Sequence, residues 1–268
     1  MLISFKFENL LMDFISGETI CVDKPLGWTS FDAVKRLRGA LSRRLGLKKV
    51  KVGHAGTLDP LATGVLIVCT GRATKLIEEL QSGRKEYVAT LRLGATTPSF
   101  DLEKQIDALY PWEHVTESMV REVLERFTGD IMQVPPVFSA VKVDGKRAYR
   151  FARKGEEPEL KAKPLVIDEM ELLDFRPPVI RVRVVCSKGT YIRALARDIG
   201  AALGSGAHLT ALRRTRVGDH ALSHALSVRQ AIDLIWSAPL EFPDGYPIPE
   251  KCRLRPRDNN DENQPQGI

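Results

Sequence analysis

Hydrophobic and polar positions recur with two periods along this chain, and the switches between them divide it into strands and helices. Thr19, Ile20, Cys21 and Val22 lie in a short strand pattern, Glu18 to Asp23, that stops at the turn Lys24-Pro25-Leu26-Gly27. Thr29 or Ser30 can then cap a helix, because Phe31, Val34, Leu37, Leu41 and Leu45 recur every three or four positions. From Val65 an apolar run predicts a buried strand, and Thr74 to Gln81 a short helix. Tyr87, Ala89, Leu91 and Leu93 alternate with Val88, Thr90 and Arg92, the pattern of a half-buried strand from Glu86 to Leu93. Val120, Val123, Leu124 and Phe127 predict an amphipathic helix over Thr116 to Phe127, closed by Gly129. Leu165 to Phe175 and Val179 to Cys186 read as two strands. Ser187 to Thr190 then leads into a helix with Ile192, Leu195, Ala196, Ile199 and Leu203 on its buried side. His208 to Val217 is a further strand and Ser227 to Ile235 a last helix. From Ala238 onward Pro, Asn, Asp and Gln without apolar period predict a disordered tail, 238–268.

Composition narrows the class without naming a function. At 268 residues, 43% hydrophobic and 28% charged, the chain can bury one large core, with or without an appendage. No apolar run approaches the roughly 20 residues of a membrane helix. The start, Met1 to Ile15, is interrupted by Lys6, Glu8 and Asp13 and lacks the marks of a signal peptide, so the expected location is the cytoplasm. Met12 is a second possible start, followed at once by a strand-like segment, so the residues before it read as a loosely held extension; residues 1–17 form an expected N-terminal extension. Cys21, Cys69, Cys186 and Cys252 are far apart, and the five histidines form no ligand spacing, so no metal is expected. A net charge of +6 and a pI of about 9.2 favour a polyanion partner.

Candidate chemistry gathers in four places. In Gly53 to Leu66, glycines flank Asp59 and Pro60 fixes the backbone after it; this is either an ordinary Asx turn or a shaped loop presenting a carboxylate. The helix after Thr29 carries Lys35, Arg36, Arg38, Arg43 and Arg44, then Lys48, Lys49 and Lys51, with no acid from Lys35 to Lys51; the face is either solvated or contacts phosphates. Pro135-Pro136 is followed by the turn signal Asp144-Gly145 and by basic and aromatic residues through Lys154, either an RNA-contacting hairpin or a turn and amphipathic helix. Tyr191 and Arg193 fall at the positive end of a helix, where an anion or a carboxylate can be held.

Taken together and in order, these pieces resemble a known family. Val22 to Pro25 with Gly27 to Ser30, the whole Gly53 to Leu66 stretch, Lys85-Glu86-Tyr87, Pro135-Pro136 through Ser139-Ala140, Cys186 through Arg193, and Gly206 through Arg214 closely resemble the TruB-type transfer RNA pseudouridine synthases, which modify position 55 of the T loop. The resemblance spans nearly all of Glu18 to Val217. It implies an α+β fold, a mixed, mainly antiparallel sheet flanked by helices, with the active site in a cleft across the sheet. It matches Asp59 to the catalytic aspartate. Tyr87 matches the tyrosine that stacks on the target uracil, itself a candidate proton acceptor. Tyr191 and Arg193 match the second tyrosine and the arginine paired with the aspartate, Leu212 an apolar residue against the base, and His54 a residue contacting the T loop. Residues 135–155 match the loop that clamps the RNA, and Lys142, Lys146, Arg147, Arg213 and Arg214 are candidate RNA contacts.

The implied activity is isomerisation of uridine in tRNA after base extrusion, with Asp59 acting either as nucleophile or as base toward the sugar and with no cofactor. The implied partner is the tRNA T arm, with no membrane, no obligatory protein partner and a monomeric enzyme. Residues 18–237 form the expected catalytic domain, without a full C-terminal RNA-binding module. The alternative is a tRNA-binding or tRNA-folding protein using the same surface.

Overall fold

The computed structural model describes residues 11–139, 141–143, 146–147, 151, 158–249 and 252, with side chains undescribed at 142–143 and 146–147. Its centre is a ten-stranded mixed sheet. The main path runs β14 (Leu226–Ser227), β1 (Thr19–Lys24), β3 (Ala62–Thr70), β12 (Ala207–Val217), β4 (Lys85–Leu93), β11 (Val179–Cys186), β10 (Lys163–Arg176), β7 (Gly129–Gln133). β2 (Val52–Ala55) pairs with β3, and β13 (His220–Ala221) with β12. Two pairings, β1 with β14 and β3 with β12, are parallel and the others antiparallel. β5 (Ala95–Thr96) and β6 (Ala108–Leu109) make a small separate pair. The architecture is therefore α+β with a mixed, mainly antiparallel sheet.

Helices pack where the sheet is apolar. α1 (Ser30–Leu45) starts on a capping box: Thr29 accepts from the Asp32 N–H and Asp32 accepts from the Thr29 N–H. It ends at Gly46 in the left-handed conformation. Val34, Leu37 and Leu41 meet Ala231 and Ile235 of α5 (Val228–Ser237) and Ile20, Val22, Leu66 and Val68 of β1 and β3. Phe31, expected on that face, is 57% exposed, because it lies past the edge of the buried arc on the side bounded by Val34, Leu41 and Leu45. The short helix expected near Thr74 is a 3-10 turn over Gly71–Leu76 that runs into α2 (Ile77–Leu80).

A second cluster joins Leu91, Leu93, Ile180, Val182 and Val184 to Val120 and Val123 of α3 (Glu117–Arg126) and Ile192, Leu195 and Ile199 of α4 (Ile192–Ala202). Leu58 and Ala62 belong to this cluster, whereas Leu66 and Val68 belong to the first. The segment carrying Asp59 thus crosses from one core to the other.

Two expectations change. Gly129 does not close α3; it begins β7, pairing with Ile167. From Met12 the chain is held, with Met12 and Phe14 buried against α1 and α5; of the stretch before it, expected to be loosely held, residues 1–10 lie outside the described residues. Residues 238–249, expected as tail, begin by docking on that segment: the Met12 N–H donates to Pro239 O at 3.0 Å and the Glu241 N–H to Met12 O at 3.0 Å, with Leu240 and Phe242 packed on the first cluster. Apart from Cys252, the rest of the tail lies outside the described residues. The hairpin reading of Asp144-Gly145 agrees with the pairing of β8 (Lys142–Val143) and β9 (Lys146–Arg147) on either side of it. No helix among the described residues is long and apolar enough to cross a membrane.

Candidate active site

Asp59 stands on the loop between β2 and β3, and this loop is braced from three directions. Ser30, at the start of α1, holds Leu58 by both main-chain groups: its hydroxyl accepts from the Leu58 N–H at 2.8 Å and donates to Leu58 O at 3.1 Å. The Gly27 N–H donates to Pro60 O at 2.8 Å. From β12, Arg214 donates to Val65 O at 2.8 Å, Gly56 O at 3.1 Å and Thr57 O at 3.4 Å. Gly64 makes this approach possible, since at φ 106° a Cβ there would lie 2.1 Å from Arg214 O. The loop is a turn, as its residues alone suggest, and a rigid one.

Arg193 meets the carboxylate. In the first turn of α4, with only 7% of its side chain exposed, it donates from Nε to Asp59 Oδ2 at 2.9 Å. Its other nitrogens donate to Ser99 O at 3.3 Å and Phe138 O at 3.0 Å, and Asp101 Oδ2 lies 3.7 Å from Nε. A buried guanidinium therefore sits between two acids, of which Asp59, 42% exposed, opens to solvent. Such a charge-assisted contact fixes the direction of the carboxylate. Asp59, Asp101, Arg193, Leu209 and Leu212 line a common open cleft.

The other expected residues fall at different distances from this cleft. Tyr87 is buried below the loop with Leu58 and Ala62. Burial holds its phenol above the ordinary pKa, partly opposed by a hydrogen bond with Arg214, so the hydroxyl is neutral. Tyr191 is the N-cap residue of α4; burial raises its hydroxyl as well, against a hydrogen bond with Ser139. His54 lies on β2 with a buried Nδ1 that has no partner among the described residues, and burial, then Arg214, lowers its pKa toward the neutral ring. Arg213 is half-exposed and pairs with Asp23 at 2.8 Å. Arg214 corrects the expectation that it contacts RNA: it is 1% exposed and its donors are engaged with the carbonyls of Gly56, Thr57 and Val65 on either side of Asp59. The side chains of Lys142, Lys146 and Arg147 lie outside the described residues.

Four contributing residues were not singled out as site residues. Asp101 and Ser99 lie in the tight segment after Pro98, where Phe100 takes a left-handed φ of 63°. Gln133 grips the main chain of Tyr191. Lys24 is fully buried, its ammonium donating to Pro25 O at 3.0 Å and Trp28 O at 2.6 Å; burial pushes its pKa down to about 8, with Asp59 opposing. Among the described residues no group of three or more His, Cys, Asp or Glu is arranged to hold a metal ion.

Comparison with known proteins gives the family. Residues 43–192 match the model of the TruB family pseudouridylate synthase N-terminal domain, and residues 193–240 that of the tRNA pseudouridylate synthase B C-terminal domain. The tRNA pseudouridine synthase B of Parabacteroides distasonis is 67% identical over 84% of this chain and 95% of its own, and that of Phocaeicola vulgatus 69% over 81% and 92%. Among solved structures, a Cbf5-Nop10-Gar1 complex contains a chain 31% identical, with a TM-score of 0.62 over 84% of this chain; this chain spans 56% of that one. Fold and site thus define a pseudouridylate synthase. The chain belongs to the TruB family. The boundary between its two family models falls between Ile192 and Arg193, so Asp59 and its arginine come from opposite sides of it.

Proposed function

We propose that this protein isomerises uridine to pseudouridine at position 55 in the T loop of tRNA, acting as a cytoplasmic monomer through Asp59 and without a cofactor. The observation that carries the site assignment is the Arg193 Nε to Asp59 Oδ2 contact of 2.9 Å at the mouth of a cleft lined by Leu212. The reaction breaks the bond from N1 to C1′, rotates the uracil and joins C5 to the same carbon; the C5 proton is lost and N1 gains one. Atoms and electrons balance within the substrate. Asp59 either attacks C1′ or removes a sugar proton, and in both cases the Arg193 contact aims the carboxylate. Leu212 provides an apolar wall for the detached base. The raised pKa of Tyr87 keeps its phenol protonated, which supports a role in holding the base over one as proton acceptor.

The target must leave its stack to reach this cleft, so contacts to the RNA backbone have to offset unstacking. The exposed Lys35, Arg36 and Arg43 of α1 and the loop 135–155, with Lys142, Lys146 and Arg147, suit that task, and residues 18–237 act as the catalytic unit. A protein that only bound or folded tRNA would need no buried arginine aimed at a carboxylate, so that reading is not favoured. Incubating purified protein with unmodified tRNA transcript and mapping the product tests the proposal. Pseudouridine at position 55 alone is expected; product elsewhere, or none, overturns it.

A further inference from the structure

Gln133 is the last residue of β7 and is 1% exposed. Its Oε1 accepts from the Tyr191 N–H at 2.9 Å and its Nε2 donates to Tyr191 O at 3.2 Å. The side-chain amide thus pairs with one residue as a neighbouring strand would, and only this orientation of the amide makes both bonds. Tyr191 is the extended N-cap residue of α4, with φ −97° and ψ 105°; its carbonyl also accepts from the Leu195 N–H at 3.0 Å, whereas its N–H points out of the helix and is met by Gln133. Two residues later α4 presents Arg193 to Asp59.

The same stretch of chain is laced to α4 beyond this point. Arg197 donates to Val134 O at 3.1 Å, Arg193 donates to Phe138 O at 3.0 Å, and Ser139 is hydrogen-bonded to the Tyr191 hydroxyl. Gln133 is the first of these contacts and stands at the root of the loop that follows. Pro135 and Pro136 have no N–H to extend the strand, so the side chain of Gln133 takes over the pairing there.

We propose that Gln133 is a positioning residue for the isomerisation: it fixes the backbone of Tyr191 and, through the first turn of α4, the placement of Arg193 against Asp59. This rests on the catalytic roles proposed above.

The test uses full-length Gln133→Leu, which keeps the bulk and deletes both bonds, with Gln133→Glu as a second variant that turns the donor into an oxygen facing Tyr191 O. At saturating tRNA the single-turnover rate of either variant should fall about 10-fold, with RNA affinity within about 2-fold of wild type. In an Arg193→Lys background Gln133→Leu should cost less than about 2-fold further, because both changes disturb the same contact. Lost affinity with an unchanged saturated rate overturns the proposal and makes Gln133 a loop anchor only. An unchanged rate and affinity in both variants, or an undiminished effect in the Arg193→Lys background, also overturns it. Asp59→Asn run alongside separates the readings: conversion remaining there overturns the site assignment, whereas a wild-type rate in Gln133→Leu with none in Asp59→Asn overturns only this proposal.

Discussion

Replacing Asp59 by asparagine separates chemistry from architecture. Arg193 faces two carboxylates, Asp59 at 2.9 Å and Asp101 at 3.7 Å, and donates to two carbonyls as well. In the Asp59→Asn variant the side-chain amide would still offer an oxygen to Nε, and Asp101 would remain as counter-charge, so the buried guanidinium is not left without an anion. What is lost is the margin of a charge-assisted hydrogen bond over a neutral one, about 1 kcal/mol. Because Asp59 is 42% exposed, solvent screening reduces that margin further. For a chain of this length the melting temperature should drop by no more than about 2–4 °C. The reaction has no such reserve, since no neutral amide can attack C1′ or deprotonate the sugar, and conversion should fall at least about 1,000-fold. The assay is release of tritium from tRNA transcript labelled at C5 of uridine, with filter binding in parallel; affinity should stay within about 3-fold of wild type. Release above about 1% of the wild-type rate would refute the role of Asp59. A melting loss beyond about 10 °C would refute the compensation by Asp101.

Arg193→Lys supplies one point charge but not the fork that also reaches Ser99 O and Phe138 O, so conversion should drop about 100-fold with little change in tRNA affinity; equal losses would make it an RNA contact. Arg214→Met leaves the carbonyls of Val65, Gly56 and Thr57 without their donor and should cost about 3 kcal/mol in urea unfolding, even after relief of a buried charge; less than about 1 kcal/mol refutes its bracing role. Burial pushes Lys24 and Lys85 from 10.5 down to about 8, so the unfolded chain binds these protons more tightly than the folded one. Between about pH 8 and 10.5 unfolding therefore takes up protons, and stability contributed by these groups rises with pH; wild type should gain on Lys85→Met between about pH 8 and about pH 10, and no gain refutes the shift. A chelator should leave conversion unchanged, and its loss would overturn the metal-free reading.

Local periodicity made much of the fold legible. β4 and β11 alternate cleanly because one face of each is packed and the other is partly open, and α1 and α4 announce themselves by their apolar faces. The arrangement of the sheet was not legible in the same way, since the parallel pairing of β3 with β12 joins strands far apart in sequence. The site divides likewise. Local signals mark Asp59 as a residue of a shaped turn and Arg193 as a helix-start cation, but only the order of several sequence pieces joins them, since the ion pair between them spans 134 positions. Arg214 sits in a basic cluster that reads as surface; only the tertiary structure shows that it is an interior brace. Residues 238–242 lack apolar period because they are held by main-chain pairing to Met12 and by two side chains, Leu240 and Phe242, too few to create one.

The brace from Arg214 also sets a timetable. It reaches back across 149 positions to Val65, and the strand that carries it lies beside the one leaving the Asp59 loop. A ribosome adding roughly 5–20 residues each second needs about 7–30 s to produce that strand after the loop has been made. For most of that interval the carboxylate segment lacks both Arg193 and Arg214, and of the two Arg214 is made last. The Asp59 loop therefore gains its full set of braces only when the second half of the polypeptide closes over the first.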